Sequence, residues 1–242
     1  MKKLLLFLLI SNFAFSQYSI SPAERSALVS IYQSTNGEKW SQSWDLTKDP
    51  QNWYGVKIKN HNVTELNLRG NALAGNFPTN LATLTNLQVL DLSNNILVGD
   101  VSPALGSLSQ LISLSINDNQ LTGDPSSSIG SLSSLTELSI GHNKFVITDV
   151  DGFLQNFPQL KLLDIASLNL TAVPQKISTL NALESLDLSD NQLKNGFSNL
   201  SNLINLKELN LSGNQLTTLP TQLGNLTQLT TLNLSRNSLA TN

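Results

Sequence analysis

Residues 183–193, LESLDLSDNQL, follow the pattern LxxLxLxxNxL, and this pattern decides the fold. The same register begins again at seven other positions, so eight copies follow one another at intervals of 23 to 25 residues. A sequence that repeats at such a period predicts a solenoid, in which each copy forms one coil and stacks on its neighbours. The copies begin at Val63, Leu87, Leu111, Leu135, Leu160, Leu183, Leu206 and Leu229.

The second and third leucines of each copy stand in a stretch of alternating apolar and polar residues. This alternation is typical of a β-strand with one buried face. In residues 183–193, we predict that Leu186 and Leu188 face inward and that Ser185, Asp187 and Ser189 face outward. One copy cannot bury its leucines alone, so stacked coils should form a parallel sheet over one interior column of leucines. The column comprises Leu66, Leu90, Leu114, Leu138, Leu163, Leu186, Leu209 and Leu232.

An asparagine follows the strand at a fixed distance in seven of the eight copies. A short coil must turn inward after its strand, and this turn leaves backbone N–H and C=O groups inside without sheet partners. The asparagine amide both donates and accepts hydrogen bonds, so it can satisfy the turns of its own coil and of the neighbouring one. The predicted structural ladder consists of Asn71, Asn95, Asn119, Asn143, Asn191, Asn214 and Asn237.

This repeat resembles that of the leucine-rich repeat proteins over residues 63–239. The resemblance implies a leucine-rich repeat α/β solenoid of eight coils with a parallel β-sheet on its concave side. The alternative is another leucine-rich β-solenoid or a helical array. After the strand, the first three copies resemble the plant-type consensus LxGxIPxxLGxL, whereas the fifth and seventh resemble a shorter bacterial class. We therefore predict that the convex side changes midway from a second short strand or extended segment to short 3₁₀ or helical turns.

The first sixteen residues have the features of a secretory signal peptide. Lys2 and Lys3 precede an apolar run, and Ala14 and Ser16 stand before a cut at Gln17. The apolar run is too short to span a membrane, so we predict no membrane span after signal removal. Residues 1–16 are therefore predicted to be a signal peptide of an exported protein, whether secreted, periplasmic or on the cell surface.

Residues 17–60 differ in composition and contain all three tryptophans, so we predict a helical, Trp-rich N-terminal capping region before the solenoid of residues 61–242. A helix is predicted from Ser21, as its N-cap, to Gly37, where it stops. The segment resembles the N-terminal cap of plant receptor-kinase ectodomains, polygalacturonase inhibitors and bacterial secreted relatives. Lys57, Ile58 and Lys59 stand where the plant caps place a cysteine. The alternative is a tryptophan-lined ligand surface.

The repeat is most irregular over residues 145–170, where Leu168 occupies the place of the ladder asparagine. This irregularity is interpreted either as a junction between two repeat types or as a loop that contributes to binding. Asp149 and Asp151 resemble part of a calcium loop. Ile147 and Pro158 stand at ligand positions of that loop, so the match fails and no metal site is predicted.

Charge and composition exclude several classes of function. The net charge is −3, or −5 without Lys2 and Lys3, which makes nucleic acid a poor partner. The chain has no cysteine, and its two histidines, His61 before the first copy and His142 after the fourth predicted strand, lie several coils apart. No motif for a nucleophile, phosphate loop or metal centre occurs. We predict that the chain is not an enzyme and uses no cofactor.

The outward side chains of the strands are predicted to form a shallow concave surface of small polar and acidic residues without aromatic anchors. We predict an exported recognition module that binds a protein or peptide there. The alternative is a structural or adhesive cell-surface component that binds polysaccharide or self-associates through its C-terminal edge. The candidate ligand-binding residues are Glu65, Asn67, Arg69, Asp91, Glu137, Leu162, Asp164, Asp187, Glu208 and Asn210.

Overall fold

The computed structural model describes residues 19–101 and 104–240. The predicted signal peptide, residues 1–16, lies outside the described residues. The described chain is a solenoid of eight coils that carries a helical cap at its N-terminal end.

The cap begins with helix α1, Pro22–Ser34. The Ser21 hydroxyl accepts a hydrogen bond from the Glu24 N–H at 3.2 Å, as expected of an N-cap. The helix ends three residues before the predicted stop at Gly37. Thr35 already leaves the helical conformation, and its hydroxyl bonds the carbonyl of Ile31 at 2.7 Å. The buried face is the predicted one, and it comprises Ala27, Leu28, Ile31 and Tyr32.

The main sheet has nine strands and forms one side of all eight coils. Its first strand, β1 (Val56–Lys59), pairs antiparallel with β2 (Asn62–Asn67), and the remaining neighbours are parallel. Strand β1 belongs to the cap and covers the edge that β2 would otherwise expose. The strands are β1 Val56–Lys59, β2 Asn62–Asn67, β4 Val89–Asp91, β6 Ser113–Ser115, β8 Glu137–Ser139, β10 Leu162–Asp164, β11 Ser185–Asp187, β12 Glu208–Asn210 and β13 Thr231–Asn233.

A second, parallel sheet of four strands lies on the convex side of the first four coils. Its strands are β3 Ala74–Asn76, β5 Ile96–Asp100, β7 Gln120–Gly123 and β9 Lys144–Phe145. The convex side of the later coils contains 3₁₀ helices at Gln175–Thr179, Phe197–Leu200 and Thr221–Asn225. The predicted loss of the second strand midway is therefore confirmed, whereas short helices occur on both sides of this point.

Short helices also occur in the cap and in the first four coils. The α-helices are α2, Ser126–Ile129, and α3, Val150–Leu154, and the 3₁₀ helices are Gly37–Lys39, Pro50–Asn52, Thr79–Thr83 and Leu105–Ser107.

The leucine column forms the core, as predicted, through its first seven members. Each of these seven side chains is at most 1% exposed, which corresponds to roughly 1.5–3 kcal/mol of hydrophobic stabilisation per leucine. Leu232, the predicted eighth member, is 39% exposed. It lies in β13, the edge strand of the described sheet, so no later coil covers it in the part of the chain that the structure describes.

The ladder asparagines bond backbone groups of two coils. Asn95 donates from Nδ2 to the carbonyls of Leu68, Leu92 and Ser93, all within 3.0 Å. Its Oδ1 accepts from the N–H groups of Asn71 and Leu73. The first rung differs from the prediction, because Asn71 bonds Gln42 of the cap through both amide atoms, at 2.6 and 3.3 Å. The ladder therefore begins by joining the solenoid to the cap.

The tryptophans of the cap are packed against one another. Trp44 stacks on Trp53 with ring centroids 4.7 Å apart and meets the Trp40 ring edge-on at 5.0 Å. All three rings are at most 5% exposed, and each indole N–H donates to a backbone carbonyl. The alternative of a tryptophan-lined ligand surface is therefore wrong, because these rings form a local core.

The cap and the first coil also share a buried carboxylate. Glu24, at 5% exposure, accepts from the Val63 N–H at 3.0 Å and from the Ser21 hydroxyl at 3.1 Å. The Glu24 carboxylate thus provides an acceptor for the Val63 N–H, which is the first backbone donor of the repeat region.

Candidate functional site

The outward side chains of the main sheet form two rows across the concave face. The strand pairing places the members of each row side by side on successive coils. The first row comprises Glu65, Val89, Ser113, Glu137, Leu162, Ser185, Glu208 and Thr231. The second row comprises Asn67, Asp91, Ser115, Ser139, Asp164, Asp187, Asn210 and Asn233. Nine of the ten candidate residues lie in these rows, and the tenth, Arg69, is exposed in the turn after β2.

The second row has a structural function that the sequence analysis did not identify. Most of its side chains accept a hydrogen bond from the backbone N–H two residues later, as in Asp187 to Ser189 at 2.8 Å. The same bond occurs at Asn67, Asp91, Asp164, Asn210 and Asn233. The sequence did indicate this function, because six coils have an Asp or Asn at this position. Both residue types form hydrogen bonds to their own backbone at turns. One oxygen is thus used for the fold, and the other side-chain atom remains for a neighbour or a ligand.

The residue two places after the second row is buried in five of the eight coils, contrary to the prediction for Ser189. Ser189 is 3% exposed, so the prediction that it faces outward is wrong. The equivalent residues Ser93, Gly141, Ala166 and Ser212 are buried as well. The concave face is therefore two residues wide along most coils.

The first-row glutamates bond neighbouring strands of the sheet. Glu65 forms an ion pair of 2.8 Å with Lys57 of β1. Glu137 accepts from the Ser113 hydroxyl at 2.8 Å, and Glu208 accepts from the Ser185 hydroxyl at 3.2 Å. These serine bonds orient the two carboxylates without neutralising their charge.

The two rows carry six carboxylates and no lysine or arginine. Glu65 is the one member that takes part in an ion pair among the described residues. The six acidic residues are Glu65, Asp91, Glu137, Asp164, Asp187 and Glu208. Such a surface favours a cationic ligand.

Asp164 is the most perturbed carboxyl group on this face. The pKa of Asp164 is raised to about 6, chiefly because the carboxyl group is buried. The hydrogen bond from the Ala166 N–H lowers this pKa, and the negative charge of Asp187 raises it further. Gly141 on the preceding coil leaves room for this carboxylate, since a side chain there would collide with Asp164 Oδ1. The adjacent Asp187 accepts from the Asn210 amide at 2.9 Å, so these three candidate residues are brought together.

A further polar network borders the second row, and the sequence analysis missed it. Its members stand directly before the ladder position, where the backbone is left-handed in every case. Arg236 forms a bidentate pair with Asp190, at 2.9 and 3.2 Å. His142 bonds the Ser167 hydroxyl at 2.9 Å, and its Nε2 lies 4.0 Å from Asp190 Oδ2. The register of the repeat already aligned these residues in one column.

Asp149 and Asp151 serve as hydrogen-bond acceptors of the backbone. Asp149 caps α3 by accepting from the Gly152 N–H at 2.8 Å, and Asp151 accepts from the Lys176 N–H at 2.7 Å. Within residues 19–101 and 104–240, no group of three His, Asp or Glu side chains could hold a metal ion. The helices in the same ranges lack the length and hydrophobicity that a bilayer-spanning segment requires.

Three family profiles match parts of the chain. The profile described as "Leucine Rich repeats (2 copies)" matches residues 61–106 and 204–242. One described as "Leucine rich repeat" matches residues 85–145, and another, "Leucine Rich Repeat", matches residues 182–203. Together they cover more than half of the chain. No curated protein matches the chain significantly.

Solved structures of plant and bacterial proteins have a similar fold. The ectodomain of the Arabidopsis thaliana receptor kinase GASSHO1/SCHENGEN3, in complex with CASPARIAN STRIP INTEGRITY FACTOR 2, is 33% identical with a TM-score of 0.73, over 90% of this chain and 26% of its own. The Arabidopsis receptor kinase HAESA, in complex with the peptide hormone IDA and the co-receptor SERK1, is 25% identical with a TM-score of 0.72, over 90% and 42%. An internalin (inlF) of Listeria monocytogenes is 30% identical with a TM-score of 0.56, over 64% and 43%. The chain spans less than half the length of each of these proteins.

Proposed function

Because the chain belongs to the leucine-rich repeat proteins, we propose that it is a non-enzymatic recognition module that binds a protein or peptide on its concave face. The observation that carries this proposal is the excess of negative charge on that face. Its two rows contain six carboxylates and no cationic side chain, and five of the six have no ion pair among the described residues. A ligand that supplies lysine or arginine side chains would compensate this charge.

The similar solved structures support binding of a peptide or protein. Two of them are plant receptor ectodomains in complex with a named factor or peptide hormone. Their likeness bears on the class of ligand and not on its identity, because this chain covers less than half of either receptor.

Export is part of the proposal. The N-terminal sequence of Lys2, Lys3, an apolar run and a small-residue cut site supports secretion by a bacterial cell, with the mature protein secreted, periplasmic or on the cell surface. The likeness to receptor ectodomains is consistent with this location.

A second candidate function is a structural or adhesive component that binds polysaccharide. It is favoured by the hydroxyl and amide groups in the two rows, which match the hydrogen-bonding groups of sugars. The rows offer no aromatic ring for stacking on a sugar, so we rank this function second.

The proposal is tested by selection from a displayed library of short random peptides on immobilised residues 17–242. The test variant combines Glu137→Gln, Asp164→Asn and Glu208→Gln, which remove three charges and retain oxygen acceptors for the observed hydrogen bonds. The control variant combines Glu38→Gln, Asp45→Asn and Glu184→Gln, which remove the same charge outside the two rows.

We expect peptides rich in lysine and arginine that bind the parent and the control and lose at least about tenfold in affinity on the test variant. Equal affinity for parent and test variant would refute recognition through the concave face. An equal loss of affinity on the control variant would show that the net charge of the protein, and not the concave face, determines binding.

A further inference from the structure

A cavity of about 550 Å³ lies on the side of coils five to seven, next to the concave face and outside its two rows. Three charged residues of its lining stand directly before strands β10, β11 and β12, and the backbone stacks them in one column. The Glu184 N–H donates to the Lys161 carbonyl, and the Lys207 N–H donates to the Glu184 carbonyl, each at 2.8 Å. Successive members of the column are therefore about 5 Å apart.

This column carries one more positive than negative charge. Lys207 forms an ion pair with Glu184. The hydrogen bond and the charge of Lys207 lower the pKa of Glu184, and the charge of the nearby Lys161 lowers it further. Lys161 itself belongs to none of the four ion pairs found among the described residues. One carboxylate thus serves two lysines, and the Lys161 ammonium group is left to pair with a further anion.

Ile204, which also lines the cavity, departs from the pattern of its position in the repeat. Its side chain is 60% exposed. The other coils have polar residues or proline at this position, namely Thr85, Ser109, Ser133, Pro158, Asn181 and Thr227. A large apolar side chain that is held in solvent beside lysines offers a contact to an aliphatic group, because covering it removes apolar area from water.

The remaining lining limits the kind of anion that fits. The side chains of Thr227 and Gln228 form no hydrogen bond within the part of the chain that the structure describes, and both can donate to an anion. Glu184 and Glu208, the residue after Lys207, place negative charge at the cavity and repel a group with several charges. A single carboxylate therefore fits this cavity better than a phosphate.

We propose that this cavity is a second binding site, separate from the two concave rows, and that it takes a carboxylate standing beside an aliphatic side chain in a partner protein. The carboxylate pairs with the Lys161 ammonium group and accepts from the Gln228 amide, while the aliphatic side chain covers Ile204. Both groups are supplied by an acidic residue next to leucine, isoleucine or valine, or by a chain terminus that ends in one of these residues.

Binding of two fluorescent hexapeptides to residues 17–242, measured by fluorescence anisotropy, tests this site. Both consist of glycine and serine apart from the tested groups. The first contains an internal aspartate–leucine pair and an amidated end, and the second ends in leucine with a free carboxylate. In their uncharged counterparts, asparagine replaces the aspartate of the first and an amide replaces the free carboxylate of the second.

The cavity variant combines Lys161→Gln with Ile204→Thr, which introduces the residue that the next coil has at this position. The matched control combines Lys194→Gln with Val146→Thr. It removes one positive charge and one apolar side chain, which is 65% exposed, outside the cavity. Equal urea midpoints of all variants verify that the fold is kept.

We expect at least one of the two peptides to bind the parent and the control alike and the concave-face variant no more weakly. On the cavity variant it should lose at least about fivefold in affinity, the scale of one partly exposed ion pair and one apolar contact. On Lys161→Gln alone, the preference for the carboxylate over its uncharged counterpart should disappear.

The proposal is overturned if neither peptide binds, or if the uncharged counterparts bind as tightly as the carboxylates. It is also overturned if the control loses as much affinity as the cavity variant, or if the preference for the carboxylate persists without Lys161. Because the concave-face variant keeps this cavity, failure of the concave site and failure of this site are distinguishable.

Discussion

Coils one to four and coils five to eight share one leucine column and one concave sheet, yet their convex sides differ. The first four coils have a second parallel sheet, whereas coils five to seven have 3₁₀ helices on this side without such a sheet. The leucines therefore determine how the coils stack, whereas the residues after the ladder asparagine determine the structure of the convex side.

Glycine in the LxG motif is one cause of this difference. Gly75 has φ of +125°, which side-chain-bearing residues rarely adopt, and a Cβ there would lie 2.5 Å from the Ser34 carbonyl oxygen. The fifth and seventh copies have Ala172 and Thr218 at this place. Those coils have no convex strand, and the fourth coil, with Ile147 at this place, has only the two-residue strand β9.

The largest expected effect tests whether the asparagine ladder contributes equally to the free energy of unfolding in both halves. Asn95 and Asn191 each make five hydrogen bonds to backbone groups of two coils. We expect Asn95→Ala and Asn191→Ala each to lower the free energy of unfolding by about 3 kcal/mol, because buried backbone groups lose their partners. Urea unfolding measures both. An unchanged midpoint for either variant would contradict the structural function of that rung.

The next effect tests whether a glycine is required in a coil that has a convex strand. We expect Gly75→Ala to destabilise the protein by about 1–3 kcal/mol through backbone strain and the contact with Ser34. The control is Gly224→Ala in the last 3₁₀ helix, where a Cβ meets no atom within 4 Å. That change should alter the free energy of unfolding by less than about 0.5 kcal/mol. Equal losses for both variants would remove the proposed reason for the different convex sides.

Asp164 gives a pH-dependent test within the second half. Its pKa is raised to about 6 in the folded protein, from an ordinary value of 3.8, so the folded state binds the proton more tightly than the unfolded chain. The resulting penalty is absent below about pH 4, grows up to about pH 6 and is constant above it.

We therefore expect Asp164→Asn to raise the free energy of unfolding at pH 7 by about 1–2 kcal/mol, with the gain vanishing below about pH 4. Urea unfolding between pH 3 and pH 8 measures this difference. Parallel stability curves for the two proteins would show that the carboxyl group is not perturbed.

The smallest effect concerns the boundary between the halves. We expect Leu168→Asn to restore an acceptor opposite Phe145 and to stabilise the protein by about 0.5–1.5 kcal/mol. Hydrogen exchange should slow at Phe145, and exchange at the Leu121 amide, which already has an asparagine partner, serves as the internal control. Unchanged or faster exchange at Phe145 would show that the residue at position 168 does not determine whether this N–H group has an acceptor.

Much of the site could be predicted because the repeat fixes register. Glu137, Leu162 and Ser185 were expected side by side, and strand pairing aligns them in the first row. The inward turn at Ser189 was not predicted, because alternation describes a strand and does not say where the strand ends. The ion pair of Arg236 with Asp190 was missed for another reason: it spans two coils, and Gly213 between them has no side chain.

The sequence by itself determined the number of coils, the buried leucines and the place of the ladder, because each follows from a spacing that every coil must satisfy locally. The tertiary structure decided what depends on packing between coils. It buried the tryptophans of the cap, raised the pKa of Asp164 by burying it and placing it beside Asp187, and left β9 without a partner strand on the side of the fifth coil. These properties depend on which groups stacking brings together, and a one-dimensional pattern does not specify those contacts.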